Sequence, residues 1–185
     1  MIKAASRLID LIPKDDPIVK YEGAGAQFLR QISKPILQFP EDLPELIERM
    51  EQIMRDANGV GLAAPQIGIL QRIFVFDAGD GFQALVNPKI LQTRGQQLGV
   101  EGCLSIPGLQ GDVLRADEVV VKAYDQFGRP VRLRGRELTA RVIQHELDHL
   151  DGILFIDRVE PDTLRYTSDD DDDSDADDDD DEAMV

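Results

Sequence analysis

The chain has 185 residues and a formal net charge of −16, and 42% of its residues are hydrophobic. This length suits one domain with its own core. No apolar run approaches the roughly 18 residues that a membrane span needs, so the composition argues against a membrane protein and predicts a soluble one. The single cysteine cannot form an internal disulfide, which argues against a small disulfide-linked secreted domain.

The N-terminal segment lacks the features of a secretion signal. Asp10 interrupts its short apolar stretch, and no small-residue cleavage site follows. We therefore expect a cytoplasmic protein. An organelle is the alternative if a targeting peptide has been removed from a longer precursor.

The strongest charge asymmetry lies near the C-terminus. Residues 169–182 include twelve acidic side chains, and without them the net charge would be about −4. Such a block of like charge cannot bury apolar surface, so we predict a folded domain over residues 1–167 and a disordered acidic tail over residues 168–185. The tail either keeps the protein soluble or docks on a basic partner such as a ribosomal surface. The negative charge argues against direct nucleic-acid binding.

A first helix is predicted to begin at Asp42. The side chain of Asp42 can accept backbone N–H bonds as the N-cap, and Glu45 completes a capping box. Six apolar residues then recur at helical spacing: Leu46, Ile47, Met50, Ile53, Met54 and Ala57. Asn58-Gly59 ends the pattern, so this helix is expected to pack on the core.

The middle of the chain predicts short strands. Residues 59–68, GVGLAAPQIG, contain three glycines and favour a turn that another backbone approaches closely. Strands are predicted for four short apolar segments, residues 72–76, 83–86, 119–124 and 130–133, with turns at 77–81 and 125–128. Since strands precede a late helix rather than alternating with helices, the fold class is α+β.

The late helix, predicted over residues 138–151 with a cap at Gly152, carries the sequence HELDH at 145–149. Residues four apart lie on one helix face, so His145 and His149 can reach the same divalent metal ion. Glu146 lies beside them, where it can serve as a general base without being a ligand.

Catalytic metal sites typically use three protein ligands and one water molecule, so one ligand is missing. The only cysteine, Cys103, lies in EGCLSIP at residues 101–107. Alone it would be taken for a buried apolar residue. Next to two imidazoles, a thiolate suits Fe(II), Co(II), Ni(II) or Zn(II), which makes Cys103 the best candidate.

The segments GVGLAAPQIG, EGCLSIP and QHELDH resemble, in the same order, the three motifs of the peptide deformylases, over roughly residues 10–167. The resemblance implies a metal-dependent amidohydrolase that removes the formyl group from the N-terminal formyl-methionine of nascent polypeptides and releases formate. It implies one divalent ion, natively Fe(II), held by Cys103, His145 and His149, with Glu146 as general base and acid. Gln66 and the backbone N–H of Leu104 would hydrogen-bond the oxyanion, and Gly61 would pair with the substrate backbone.

On this basis we expect small antiparallel or mixed β-sheets packed around a central C-terminal helix that carries the HExxH sequence. Val60 and Val142 would line a methionine pocket or simply pack in the core. Asp148 would orient an imidazole, be a solvent-facing charge of the helix, or form a salt bridge with Arg115 or Arg141.

Two other functions remain open. A zinc endopeptidase of the HExxH type would need a downstream third ligand, for which Glu160 is the nearest glutamate. A catalytically silent peptide-binding or metal-binding module would keep the fold without turnover.

Overall fold

A computed structural model describes residues 7–167; the predicted tail at 168–185 lies outside the described residues. The α-helices are α1 Gly23–Leu29, α2 Leu43–Asp56 and α3 Glu137–Leu150, and 3₁₀ turns cover Leu8–Leu11, Ala64–Ile67 and Phe155–Asp157. The strands are β1 Gly61–Ala63, β2 Ile73–Phe76, β3 Gln83–Arg94, β4 Gln97–Cys103, β5 Ile106–Arg115, β6 Glu118–Tyr124, β7 Pro130–Arg136 and β8 Arg165–Tyr166. No helix within the described part is long and apolar enough to cross a membrane.

The strands form two sheets. One has five strands in the order β1-β2-β3-β6-β7, and the other has three in the order β4-β5-β8. Every pairing between these strands is antiparallel, and the only parallel bridge within residues 7–167 joins Lys34 to Gln71. The α+β prediction is confirmed, in its antiparallel form.

Helix α3 occupies the centre, as predicted. It contacts β1, β2, β6 and β7 of the larger sheet and β5 of the smaller one. Ten of its fourteen residues are buried, which is far more than the single stripe of an ordinary surface helix. The buried residues include both histidines and Glu146, so the fold places the HExxH sequence inside the protein rather than on its surface.

The end of α3 explains the glycine that follows it. Gly152 adopts a left-handed φ of 72°, and the amides of Gly152 and Ile153 donate to the carbonyls of His149 and Asp148, which is a Schellman motif. A Cβ on Gly152 would lie 2.4 Å from the carbonyl oxygen of Arg30, so no larger residue fits. The predicted cap is confirmed.

Helix α2 agrees with the prediction at its end but not at its start. Asn58, with φ 53°, provides the left-handed cap, and the amides of Asn58 and Gly59 donate to carbonyls of the last turn. Asp42 precedes the helix, but its side chain makes no capping hydrogen bond. The capping-box prediction is wrong because Asp42, at φ −87° and ψ 4°, lacks the extended backbone that directs an N-cap side chain toward the helix.

The strand predictions were too sparse. Strand β3 runs eight residues beyond the predicted end at Val86, because register shifts after Val86 accommodate Pro88, which cannot donate to a ladder. The hairpin of β4 and β5 was missed, since its glycines and polar residues weaken the apolar signal. Residues 61–63, predicted as a turn, form strand β1.

Candidate metal centre

Helix α3 and the β4–β5 hairpin bring three ligand atoms together. His145 and His149 lie on one face of α3, with ring centroids 4.9 Å apart. Cys103 ends β4, just before the two-residue turn Leu104-Ser105, and its Sγ lies 3.3 Å from His149 Nε2. Ligand atoms of Cys103, His145 and His149 all lie within 4.8 Å of one another, and the three residues are buried. The structure thus assembles the three predicted ligands, which can hold one metal ion.

A carboxylate fixes the orientation of His145. Glu101 Oε2 lies 2.9 Å from His145 Nδ1, and Arg115 binds the two carboxylate oxygens of Glu101 at 2.9 Å each. Arg141 donates to Glu101 Oε1 at 2.8 Å. Burial alone would raise the pKa of Glu101, but the hydrogen bonds from Arg115 and His145 outweigh it and lower that pKa. Because an ionised carboxylate only accepts, the hydrogen of His145 sits on Nδ1, which leaves Nε2 able to bind a metal.

The surroundings of the other two candidate ligands, His149 and Cys103, shift the pKa of each side chain. Burial, assisted by the neighbouring His145, holds the pKa of His149 well below its usual value, so its imidazole is neutral, as a metal ligand must be. Burial raises the pKa of the Cys103 thiol to about 12, and the charge of Glu146 acts in the same direction. The protein alone therefore keeps this thiol protonated, and a bound cation would reverse that preference.

Glu146 is fully buried, and neither of its carboxylate oxygens has a hydrogen-bond partner among the described residues. Burial, and next the charge of Glu101, raise the pKa of Glu146 well above its usual value. A Cβ on Gly61 would lie 2.3 Å from Glu146 Oε1 and 3.1 Å from Val142 Cγ1. Position 61 therefore needs glycine because the side chain of Glu146 lies against it. The sequence had predicted instead that another backbone approaches this segment closely.

The remaining predicted residues surround this group. Gln66 is fully buried; its Oε1 accepts from the amide of Ala63 at 2.8 Å, and its Nε2 lies 3.6 Å from Cys103 Sγ and 3.4 Å from Ser105 Oγ. Leu104 follows Cys103 directly in the turn. Val142 is fully buried in the core, and Val60 packs against the same cluster, so their pocket role stays a prediction.

Glu101 is a residue of the candidate site that sequence reasoning missed. Asp148 was considered as the orienting group because it is close to the histidines in sequence, but its carboxylate pairs with Arg115 and Arg158 instead. The salt-bridge alternative with Arg115 is therefore the correct one. A signal for Glu101 was present, since it lies two residues before Cys103, and metal-bound imidazoles usually donate to a carboxylate.

The ligand group argues against the endopeptidase alternative. Within residues 7–167, the group that could hold a metal consists of Cys103, His145 and His149, without Glu160. The amide of Glu160 instead donates to the carbonyl of Asp112. In this candidate group the third position belongs to the cysteine of the second motif.

Comparison with known proteins agrees with this geometry. The family model described as "Polypeptide deformylase" matches residues 16–165. The chain belongs to the polypeptide deformylase family. The predictions of a peptide deformylase, and thus of a hydrolase, are confirmed, and nothing in the comparisons supports the alternatives.

Relatives and solved structures of the family match most of the chain. The peptide deformylase of Acetivibrio thermocellus is 48% identical over 135 residues, covering 73% of this chain and 79% of that protein. The one from Thermomicrobium roseum is 48% identical over 156 residues, covering 79% and 89%. The crystal structure from Thermotoga maritima superimposes with a TM-score of 0.74 at 43% identity, covering 78% and 97%. That from Synechococcus elongatus, in complex with actinonin, gives 0.73 at 42% identity and covers 86% of each chain.

Proposed function

We propose that Cys103, His145 and His149 hold one divalent metal ion and that Glu146 is the general base and acid of N-formyl-methionyl peptide hydrolysis. The main support for this proposal is a set of buried polar atoms without partners. His145 Nε2 and both Glu146 oxygens lack hydrogen-bond partners in the described part of the chain. Such groups are costly to bury unless a ligand satisfies them. One thiolate and two imidazoles suit Fe(II), with Zn(II), Ni(II) or Co(II) as alternatives.

An ion held by Cys103, His145 and His149 would supply Lewis-acid chemistry to the attacking water and the formyl oxygen. Glu146 accepts a proton from the water, whose oxygen adds to the formyl carbon. Gln66 Nε2 and the Leu104 N–H donate to the oxyanion; one such donor is typically worth about 2.7–4 kcal/mol. The C–N bond then breaks, Glu146 returns the proton to the departing amine, and formate leaves.

The substrate peptide is proposed to extend the five-stranded sheet. Strand β1, which contains Gly61, lies at the edge of that sheet and pairs only with β2 within the described residues. An edge strand offers unpaired backbone groups to an extended peptide. We place the pairing of Gly61 with the substrate backbone there, and nascent chains as the physiological substrate.

Substrate discrimination tests the proposed activity. The purified protein, loaded anaerobically with Fe(II), is assayed on a formyl-Met tripeptide, its acetyl counterpart and an unstructured protein. We expect formate from the first, little reaction with the second because the methyl group displaces the carbonyl from its oxyanion donors, and no internal cleavage of the third. Internal cleavage without formate release would overturn the assignment.

Two matched variants test the ligand set. Cys103→Ser should lose most bound metal and turnover, whereas Glu160→Gln should retain both, because Glu160 lies outside the ligand group. Metal content per chain and formate release are measured together. Equal metal loss in both variants would remove Cys103 from the proposed set.

The choice of metal has its own test. In air, the Fe(II) form should lose activity faster than the Ni(II) form, since Fe(II) beside a thiolate is exposed to oxidation.

We further propose that residues 1–167 form the catalytic domain, that the protein acts in the cytoplasm, and that the acidic residues 169–182 contribute to docking on basic partners such as the ribosome.

A further inference from the structure

One face of the larger sheet carries an unusual concentration of positive charge for so acidic a chain. The outward side chains of β3, β6 and β7 include six cations, which together we call the basic sheet face: Lys89, Arg94, Lys122, Arg132, Arg134 and Arg136. Antiparallel register places them in adjacent rows, with Lys122 opposite both Lys89 and Arg132. The only acid among these rows is Glu118, opposite Arg94 and Arg136.

Most of this charge is not neutralised by neighbours. Glu118 pairs with Arg134 and Arg136, at 2.5 and 3.1 Å. Among residues 7–167, the other four cations of the face make no ion pair within 4.0 Å: Lys89, Arg94, Lys122 and Arg132. Like charges directly opposite on neighbouring strands repel, and an anionic occupant would relieve that repulsion.

The shape of the face suits an extended chain. A groove of about 410 Å³ crosses β3, β6 and β7, and its lining includes three of the six cations, Arg94, Arg132 and Arg134, together with the acid Glu118. The opposite side of these strands, at Val119 and Val121, packs in the core cluster that contains α3. An occupant of the groove would therefore lie on the side of the sheet away from the metal centre.

We propose that the basic sheet face binds the acidic segment, residues 169–182, of the same chain. Charge complementarity supports this occupant, since the segment carries twelve acids and the basic sheet face carries six cations. Reach allows it: 18 residues after Thr167 can extend to at most about 60 Å, whereas a folded domain of about 160 residues has a radius of gyration of about 15 Å. Tethering supplies an effective concentration on the order of millimolar, so weak exposed ion pairs suffice.

The consequence is a self-shielding surface. Bound to its own acidic segment, the face is closed to other polyanions. A strongly basic partner that draws the segment away would open the face.

The test compares the full-length wild type with a full-length variant by amide chemical shifts in ¹H–¹⁵N spectra. In the variant, the twelve acids of residues 169–182 are replaced by Asn or Gln, so the length is unchanged. We expect shift differences concentrated in β3, β6 and β7. They should disappear in about 1 M NaCl, where the screening length is only about 3 Å. Differences that are absent, or that fall elsewhere, would overturn the proposal.

A second comparison uses charge reversal in otherwise unchanged chains. Lys122→Glu combined with Arg132→Glu should abolish the shift differences between the acidic and neutralised segments. Lys14→Glu combined with Arg49→Glu, which reverses two exposed cations elsewhere that are also without ion pairs among residues 7–167, should preserve them. Equal loss in both pairs would show a nonspecific charge effect, and differences that vanish on dilution would show contact between molecules; either outcome overturns the proposal.

Discussion

Gly61 and Glu146 are in such close contact that a Cβ on Gly61 would lie 2.3 Å from Glu146 Oε1. At Gly59 the corresponding atom would lie 2.7 Å from Leu104 Cδ1, the end of a flexible side chain. Neither glycine has a positive φ, so replacement by alanine tests space rather than backbone strain. The two glycines of one motif therefore leave space for different side chains, Gly61 for Glu146 and Gly59 for Leu104.

We expect Gly61→Ala to lower kcat by about 100-fold, because general-base catalysis is worth about 10²–10⁴-fold and the added methyl group displaces Glu146, the proposed base. Gly59→Ala should cost about tenfold or less, since Leu104 can change rotamer at about 0.5–1.5 kcal/mol. Steady-state kinetics with a formylated peptide, alongside circular dichroism, measures both. Equal losses would mean that contact with Glu146 is not what requires glycine.

Glu146→Gln should retain metal and lose turnover by about 10²–10⁴-fold, since the amide keeps the shape but cannot accept the proton. Because burial opposes the charge of Glu146, the variant should be no less stable than the wild type. Metal analysis, formate release and urea unfolding are measured on one preparation. A metal-loaded variant with more than about a tenth of the wild-type rate would contradict the assignment.

Arg115→Met should lower the free energy of unfolding by about 3–5 kcal/mol, because it leaves Glu101 buried without its bidentate partner. Arg158→Met removes another partner of Asp148, but Arg158 is 42% exposed, so the cost should stay below about 1 kcal/mol. Urea unfolding of both variants provides the measurement. If Arg115→Met costs no more than Arg158→Met, the buried network does not stabilise the fold.

Asp157 should contribute a small pH-dependent stabilisation. Burial opposes its charge, but hydrogen bonds from Arg30 and the Leu154 amide, with the nearby charge of Arg158, lower its pKa below the usual value. Tyr21 also lies near Asp157, since its hydroxyl accepts a hydrogen bond from the same Arg30. A pKa lowered in the folded state stabilises the protein above the unfolded pKa of about 3.9, and this is lost as pH falls through the lowered value.

The difference in unfolding free energy between wild type and Asp157→Asn should therefore be below about 1 kcal/mol at pH 7 and shrink toward about pH 3. Asp10→Asn, at a more exposed surface pair, serves as the control. A difference that grows on acidification would reverse the predicted sign.

Neutralising the acids of residues 169–182 should change the rate on a short formylated peptide by less than about twofold, since so acidic a segment has little apolar surface to bury and the candidate ligands Cys103, His145 and His149 lie outside it. The rate is compared with that of the wild type at fixed salt. A large loss would show that the segment belongs to the catalytic unit.

The sequence predicted most residues of the candidate site because they lie in three short motifs. His145, Glu146 and His149 follow from helical spacing alone, and the second motif supplies Cys103. Glu101 was missed because its contact with His145 depends on how the β4–β5 hairpin packs against α3, and its place two residues before Cys103 was the only hint of it in the sequence. The hairpin itself was missed because its glycines weaken the alternation that marks a strand.

The separation between Cys103 and His149, 46 residues along the chain, has a consequence for biosynthesis. A ribosome delivers the β4–β5 hairpin well before α3, so the growing polypeptide carries a thiol without its imidazole partners until the last part of the domain emerges. The proposed catalytic site is thus completed only when α3 has been synthesised. A chain released before residue 149 would contain all five strands of the larger sheet, lack one of the proposed ligands, and be expected to have no enzymatic capacity.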